Sequence, residues 1–175
     1  MIDPTGMGNV AAEYNASGLL ARYDHGYGLL SRTGTTGAAF YTFQAIGSTS
    51  EVTGTGGQVL NSYRYDPFGV SLGKTETVAN PFEYVGEYGV MNESNGLEFM
   101  RARYYSANHG RFTTEDRIGL AGGSNLYTYS SNTSTHLVDP TGNYGSRPFA
   151  YGDQNNYDVG TSGTSPRLAD TELRV

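Results

Sequence analysis

Glycine spacing constrains this chain more than any other feature. Gly8-Asn9-Val10 leads by ten residues to Gly18 and then to LLARYDHG, and Gly47-Ser48-Thr49 leads by ten residues to Gly57 and then to QVLNSYRYDPFG. A looser third unit runs through NESNGLEFMRARYYSANHG, residues 92–110. Each unit reads as two short strands joined by a Gly/Asn/Ser turn, with Tyr and Arg concentrated in the second strand. A hairpin this short cannot bury its own apolar face, so stacked neighbours must cover it. The expected fold is therefore mainly β, a run of antiparallel hairpins forming a curved sheet. An isolated piece of such a sheet exposes an open edge at its N-terminal end. In GLEFMRARYY, period-2 alternation puts Leu97, Phe99, Arg101, Arg103 and Tyr105 on one face. Glu98, Met100, Ala102 and Tyr104 fall on the other.

Composition agrees and narrows the function classes. The chain has 175 residues, enough for one domain with a core. It holds 25 Gly and 15 Tyr but no Trp or Cys. Many Gly, Tyr, Thr, Ser and Val with few Lys and Glu favour strands and turns over helices. Without cysteine, disulfides and thiolate sites are excluded. The net charge of −6 gives no stripe to follow a phosphate backbone, so no nucleic-acid partner is expected for the core. His25, His109 and His136 are scattered, with no HExxH or paired spacing, and read as ordinary loop or strand-end residues. GTGGQ (54–58) lacks the GKS/GKT of a phosphate loop and reads as a hairpin tip. No cofactor or metal is expected. No apolar run is long enough for a transmembrane segment, and MIDPTGMGNV has neither a basic nor an apolar leader region.

The punctuation DPxG occurs three times, at Asp3–Gly6, Asp66–Gly69 and Asp139–Gly142. Asp at the first turn position accepts a bond from the backbone two residues on, Pro pre-sets φ, and Gly suits the fourth position. For Asp3 and Asp66 turn chemistry is a sufficient reading. After residue 145 the chain is polar and mostly aperiodic, and only SPRLADTELRV, with Pro166 near its start, hints at a helix. This tail is expected to be flexible.

The pieces SYRYDPFG (62–69), NPFEYVGEYG (80–89), GLEFMRARYYSANHGRFTTEDRIGLAGGSNLYTYSSN (96–132) and VDPTG (138–142) come in a fixed order. Together they closely resemble the core of Rhs proteins, and the upstream stretch resembles the YD repeats that precede that core. The resemblance covers roughly residues 1–143. It implies YD-type hairpin repeats over 1–75, an Rhs repeat-associated core over 76–143 and a truncated or rudimentary variable tail over 144–175. In Rhs proteins and the related C subunits of Tc toxins, the repeats wind into a hollow β shell that the core plugs. An aspartyl autoprotease in the core then cuts after a DPxGL motif, and the freed C-terminal effector stays inside.

On that resemblance three residues carry catalysis. Arg103 matches the arginine of the family's ARYYDP stretch, Asp116 the aspartate of GRFxSxDP, and Asp139 the aspartate of DPxG. Two close carboxylates cannot both ionise easily, so one keeps a proton. The ionised one takes a proton from water while the other polarises the scissile carbonyl. An arginine stabilises the shared charge without losing its own proton. The expected scissile bond is Asn143-Tyr144. Tyr104, Tyr105, Tyr127 and Tyr129 read as packing residues. The competing reading makes Asp116 and Asp139 turn residues and Arg103 an ion-pair donor on the sheet.

Several positions depart from the family pattern. Asn143 stands for leucine, Ser134 for a proline, Ser106-Ala107 for Asp-Pro, and Arg117 for the proline after Asp116. Lost prolines loosen turns, and the lost leucine removes an apolar anchor beside the scissile bond. Residues 144–175 are too few for a typical toxin domain, so a fragment or short reading frame is expected.

Two functions follow from the resemblance. One is a core that caps a shell around a C-terminal effector and cuts itself near Asn143-Tyr144. Its partners are the remainder of a larger Rhs shell, the effector, and a secretion-system component or immunity protein. Its location is outside or on the surface of a bacterium. The alternative is a non-catalytic structural or cell-surface module contacting carbohydrate or protein. A free-standing toxin enzyme is disfavoured by the missing nucleophile and metal constellations.

Overall fold

The computed structural model describes residues 9–148. The Asp3–Gly6 turn, the tail from residue 149 and its helix hint at SPRLADTELRV lie outside the described residues. Seven strands form one antiparallel sheet in chain order: β1 Ala12–Asn15, β2 Gly18–His25, β3 Leu29–Gly34, β4 Gly37–Phe43, β5 Thr49–Gly54, β6 Val59–Tyr65 and β7 Ser71–Glu76. The sheet is an unclosed, curved run of hairpins, as the repeat spacing implies. The first two repeat units are the hairpins β1–β2 and β5–β6, and GTGGQ is the tip of the latter. Irregular register recurs near the strand ends, for example between Asp24 and His25 and between Arg64 and Tyr65, which bends and twists the sheet.

The third unit builds something different. A second antiparallel sheet comprises β8 Met91–Glu93, β9 Leu97–Met100, β10 Arg103–Ser106 and β11 Arg111–Phe112. The single alternation expected through GLEFMRARYY is corrected here. Arg101-Ala102 is a two-residue turn, and Arg103 pairs back on Met100. The turn resets the side-chain phase, so Glu98, Met100, Arg103 and Tyr105 are all buried. Phe99 and Tyr104 instead meet on the other side, with ring centroids 5.4 Å apart.

A connecting strap, residues 80–90, joins the two sheets. Phe82 packs with Ala21, Tyr23 and Leu29 under the first sheet. Tyr84, Val85, Tyr88 and Val90 pack with Met100, Tyr105, Phe112, Tyr129 and Val138 under the second. The strap's polar backbone is satisfied from the first sheet: the Thr49 hydroxyl donates to Phe82 O (2.6 Å) and the Ser48 hydroxyl accepts from Val85 N (3.0 Å). Such pairing lets an irregular segment run through a buried region at little cost. No helix among the described residues is long and apolar enough to cross a membrane.

Candidate active site

Arg103 starts β10 and its side chain is almost fully buried. Burying a guanidinium is tolerable only when its donors are engaged. Its Nε donates to Gly142 O, and its Nη1 donates to Leu126 O at 3.2 Å. Its Nη2 faces Asp116 Oδ2 at 2.9 Å and Asp139 Oδ2 at 3.5 Å. The Phe112 ring lies beneath, 3.6 Å from Arg103 Cζ, adding a cation–π contact. The three residues singled out in sequence thus meet at one nitrogen, and the two carboxylates can be no farther apart than the sum of those two distances.

Each aspartate is fixed by its own turn. Asp116 Oδ1 accepts from Ile118 N (3.0 Å), and the Asp116 amide donates to Leu126 O (3.0 Å). Leu126 O therefore orients both Arg103 and Asp116. Asp139 Oδ1 accepts from the Thr141 hydroxyl (3.1 Å) and from Asn143 N (3.1 Å), while its carbonyl accepts from Gly142 N (3.3 Å). Asp139 is 1% exposed. Burial pushes its carboxyl above the usual carboxylate range. The Thr141 hydroxyl, the Arg103 charge and the amides of Asn143 and Gly142 pull the other way without cancelling it.

The turn is pressed into place. Gly142 has φ +69°, and a Cβ there would sit 2.5 Å from Met100 O and 2.9 Å from Arg103 N. Only glycine allows the turn this close to the β9–β10 backbone. Past Asn143 the chain doubles back, and Val138 and Ser146 form an antiparallel bridge with both hydrogen bonds at 2.8 Å. Asn143-Tyr144 lies in the loop so closed, with Tyr144 exposed and Asn143 half-buried.

Sequence reasoning missed four contributors. Thr141 is the variable position of DPxG, and its hydroxyl was a signal. Phe112 stood in the quoted GRF stretch without an assigned role. Leu126 O acts through its backbone and left no mark in sequence, and neither did the pairing of Ser146. Tyr105 and Tyr129 are fully buried packing residues as expected, whereas Tyr104 and Tyr127 are partly exposed. The Tyr127 hydroxyl donates to Glu115 Oε1. Of the histidines, His25 contacts Val10 O, His109 contacts the Ser106 hydroxyl and His136 contacts the Thr135 hydroxyl. Among the described residues no cluster of three His, Cys, Asp or Glu could hold a metal ion.

Comparison with known proteins places this architecture. The toxin protein Tse5 of Pseudomonas aeruginosa is 32% identical over 104 residues, covering 59% of this chain and 8% of that protein. The double-stranded DNA deaminase toxin A of Burkholderia cenocepacia is 34% identical over 109 residues, covering 58% of this chain and 7% of that one. The crystal structure of TcdB2-TccC3-Cdc42 superposes with a TM-score of 0.62 at 22% identity, over 70% of this chain and 6% of that one. The chain is an Rhs-related core. No family model matches it. The Rhs-related chain spans less than a tenth of the length of these two toxins.

Proposed function

We propose that this Rhs-related core caps a β shell holding a C-terminal effector and cuts its own chain at Asn143-Tyr144. The division into hairpin repeats to residue 75, core to 143 and variable segment beyond belongs to the same reading. One observation carries it: a single buried nitrogen, Arg103 Nη2, lies 2.9 Å from Asp116 and 3.5 Å from Asp139, while Nε of the same side chain holds the carbonyl of Gly142. Such a group stabilises negative charge beside the bond to be cut.

In the step proposed, water attacks the Asn143 carbonyl carbon. Asp116 takes the water proton, and the shared proton, held on buried Asp139, goes to the carbonyl oxygen and then to the Tyr144 nitrogen. Hydroxide ends on Asn143 as a carboxylate, and Tyr144 leaves as a new amino terminus. The relatives' names as toxins support a toxin-delivery role for the whole protein, exported from or displayed on a bacterium with its shell, secretion-system and immunity partners.

The test is intact mass under denaturing conditions during storage of the purified chain. A species ending at Asn143 should accumulate, and Asp139→Asn and Asp116→Asn should each prevent it. A wild type still intact after days overturns the reading. The second reading, a non-catalytic module contacting protein or carbohydrate, draws on exposed Leu20 and Phe40, which point away from the covered face of the first sheet beside buried Ala21 and Ala39. An uncut chain would favour it.

A further inference from the structure

The β9–β10 turn meets the Asp139 turn carbonyl by carbonyl. Arg101 Nη1 donates to Pro140 O at 2.6 Å, Ala102 N donates to Thr141 O at 3.1 Å, and Arg103 Nε donates to Gly142 O. Three consecutive donors thus hold three consecutive acceptors, ending one residue before Asn143. Arg101 also reaches backwards, its Nη2 donating to Tyr88 O at 2.7 Å and to Asn9 Oδ1 at 3.0 Å. It ties the turn to the strap between the sheets.

The backbone of Arg101 points the same way. Its φ is +56°, in the left-handed region. A two-residue hairpin turn ordinarily puts Asn or Gly there, because other residues carry about 1–2 kcal/mol of strain. Strain retained at a position where a simpler residue would fold more easily marks a demand on the side chain.

We propose that Arg101 is a positioning residue that fixes the register of the Pro140–Asn143 segment against the Asp116–Asp139 pair. It touches neither carboxylate nor the expected scissile bond, and acts through the Pro140 carbonyl. A slip of one residue along this clamp would bring a different peptide bond to the pair. The proposal rests on the autoproteolysis reading for its functional consequence but not for its structural content.

The experiment uses the full chain with Arg101→Gly and Arg101→Lys. Glycine relieves the backbone strain, which offsets part of the stability lost with the three hydrogen bonds, so the Gly variant should still fold while losing the clamp. Its Asn143 and Ala102 amides should exchange at least about tenfold faster, with Phe99 and Tyr105 amides unchanged. Its cleavage should slow by about tenfold or more, or yield fragments ending at other residues, because small misplacements cost that much. The Lys variant, keeping a cation without the fork, should recover part of both. Unchanged exchange at Asn143 and Ala102 in the Gly variant overturns the proposal, as does unaltered cleavage at an unaltered bond. If wild type is never cut, the autoproteolysis reading fails, and the exchange rates alone decide the positioning role.

Discussion

Two turns in this chain share a motif and differ in what grips them. In both Asp66–Gly69 and Asp139–Gly142, the Asp Oδ1 accepts the amide four residues on, at 2.8 Å from Val70 and 3.1 Å from Asn143. In both, the Asp carbonyl accepts the Gly amide. Around the first turn the grip is neutral: the Tyr84 hydroxyl donates to Pro67 O at 3.2 Å and the Tyr105 hydroxyl to Phe68 O at 2.7 Å. Around the second it is cationic, supplied by Arg101 and Arg103. The second oxygen of Asp139 is turned to Arg103 and Asp116, while Asp66 is half-buried and spends its Oδ1 on the backbone amides of Phe68 and Val70. The same local code thus makes a fastening in one place and a candidate reaction centre in the other. The neighbours decide which.

The sharpest way to break this contrast is at the two aspartates. Asp139→Asn should lower the cleavage rate by about 10²–10⁴-fold, the range for losing a general acid or base, while Asp66→Asn should leave it within about twofold. Equal losses in both would erase the distinction between the turns. Next in size is the grip itself. Arg103→Met leaves two carboxylates around an apolar side chain and should cost about 3–5 kcal/mol in urea unfolding, whereas Tyr105→Phe removes one hydrogen bond and should cost about 0.5–1.5 kcal/mol.

The glycines separate the turns more finely. At Gly142 an added Cβ meets backbone, 2.5 Å from Met100 O, and at Gly69 (φ +93°) it meets the Tyr84 ring at 2.7 Å. Each Ala substitution incurs about 1–2 kcal/mol for the left-handed backbone. Gly142→Ala should cost the more of the two in thermal unfolding, because a ring can tilt and a hairpin backbone cannot.

Glu98 provides a pH-dependent probe that bears on both turns at once, since its hairpin carries both Arg103 and Tyr105. Burial raises its pKa from 4.5 to about 7, partly offset by the Asn92 amide. Among the described residues its Oε2 has no hydrogen-bond partner. The native state therefore favours the protonated form. Its stabilising contribution is full below the unfolded pKa and is lost as pH rises through about 7. Wild-type stability should fall by up to about 3 kcal/mol across that window, and Glu98→Gln should flatten the profile in urea titrations run from pH 4 to 8. A loss confined to one turn, seen as altered exchange at Asn143 but not Val70, would show that the hairpin supports the two unequally.

Much of this organisation was legible in advance. Gly spacing located the hairpins at β1–β2 and β5–β6, and the order of motifs singled out Arg103, Asp116 and Asp139. The hairpin β3–β4 escaped because its Thr35-Thr36 turn breaks the ten-residue rhythm. The faces of GLEFMRARYY were misread because nothing in the alternation marks a turn at Arg101-Ala102, where neither residue is a usual turn former. Backbone acceptors such as Leu126 O and Gly142 O, and the return of Ser146 to Val138, depend on tertiary placement and have no residue code of their own.

That return pairing changes what a cut would accomplish. Asn143-Tyr144 lies inside the loop that Val138 and Ser146 close. A nick there breaks covalent continuity and leaves the two pieces fastened, like an opened link still held by its clasp. Whatever draws the downstream piece away must first peel Ser146 from Val138, so scission and departure become separate events, each with its own barrier.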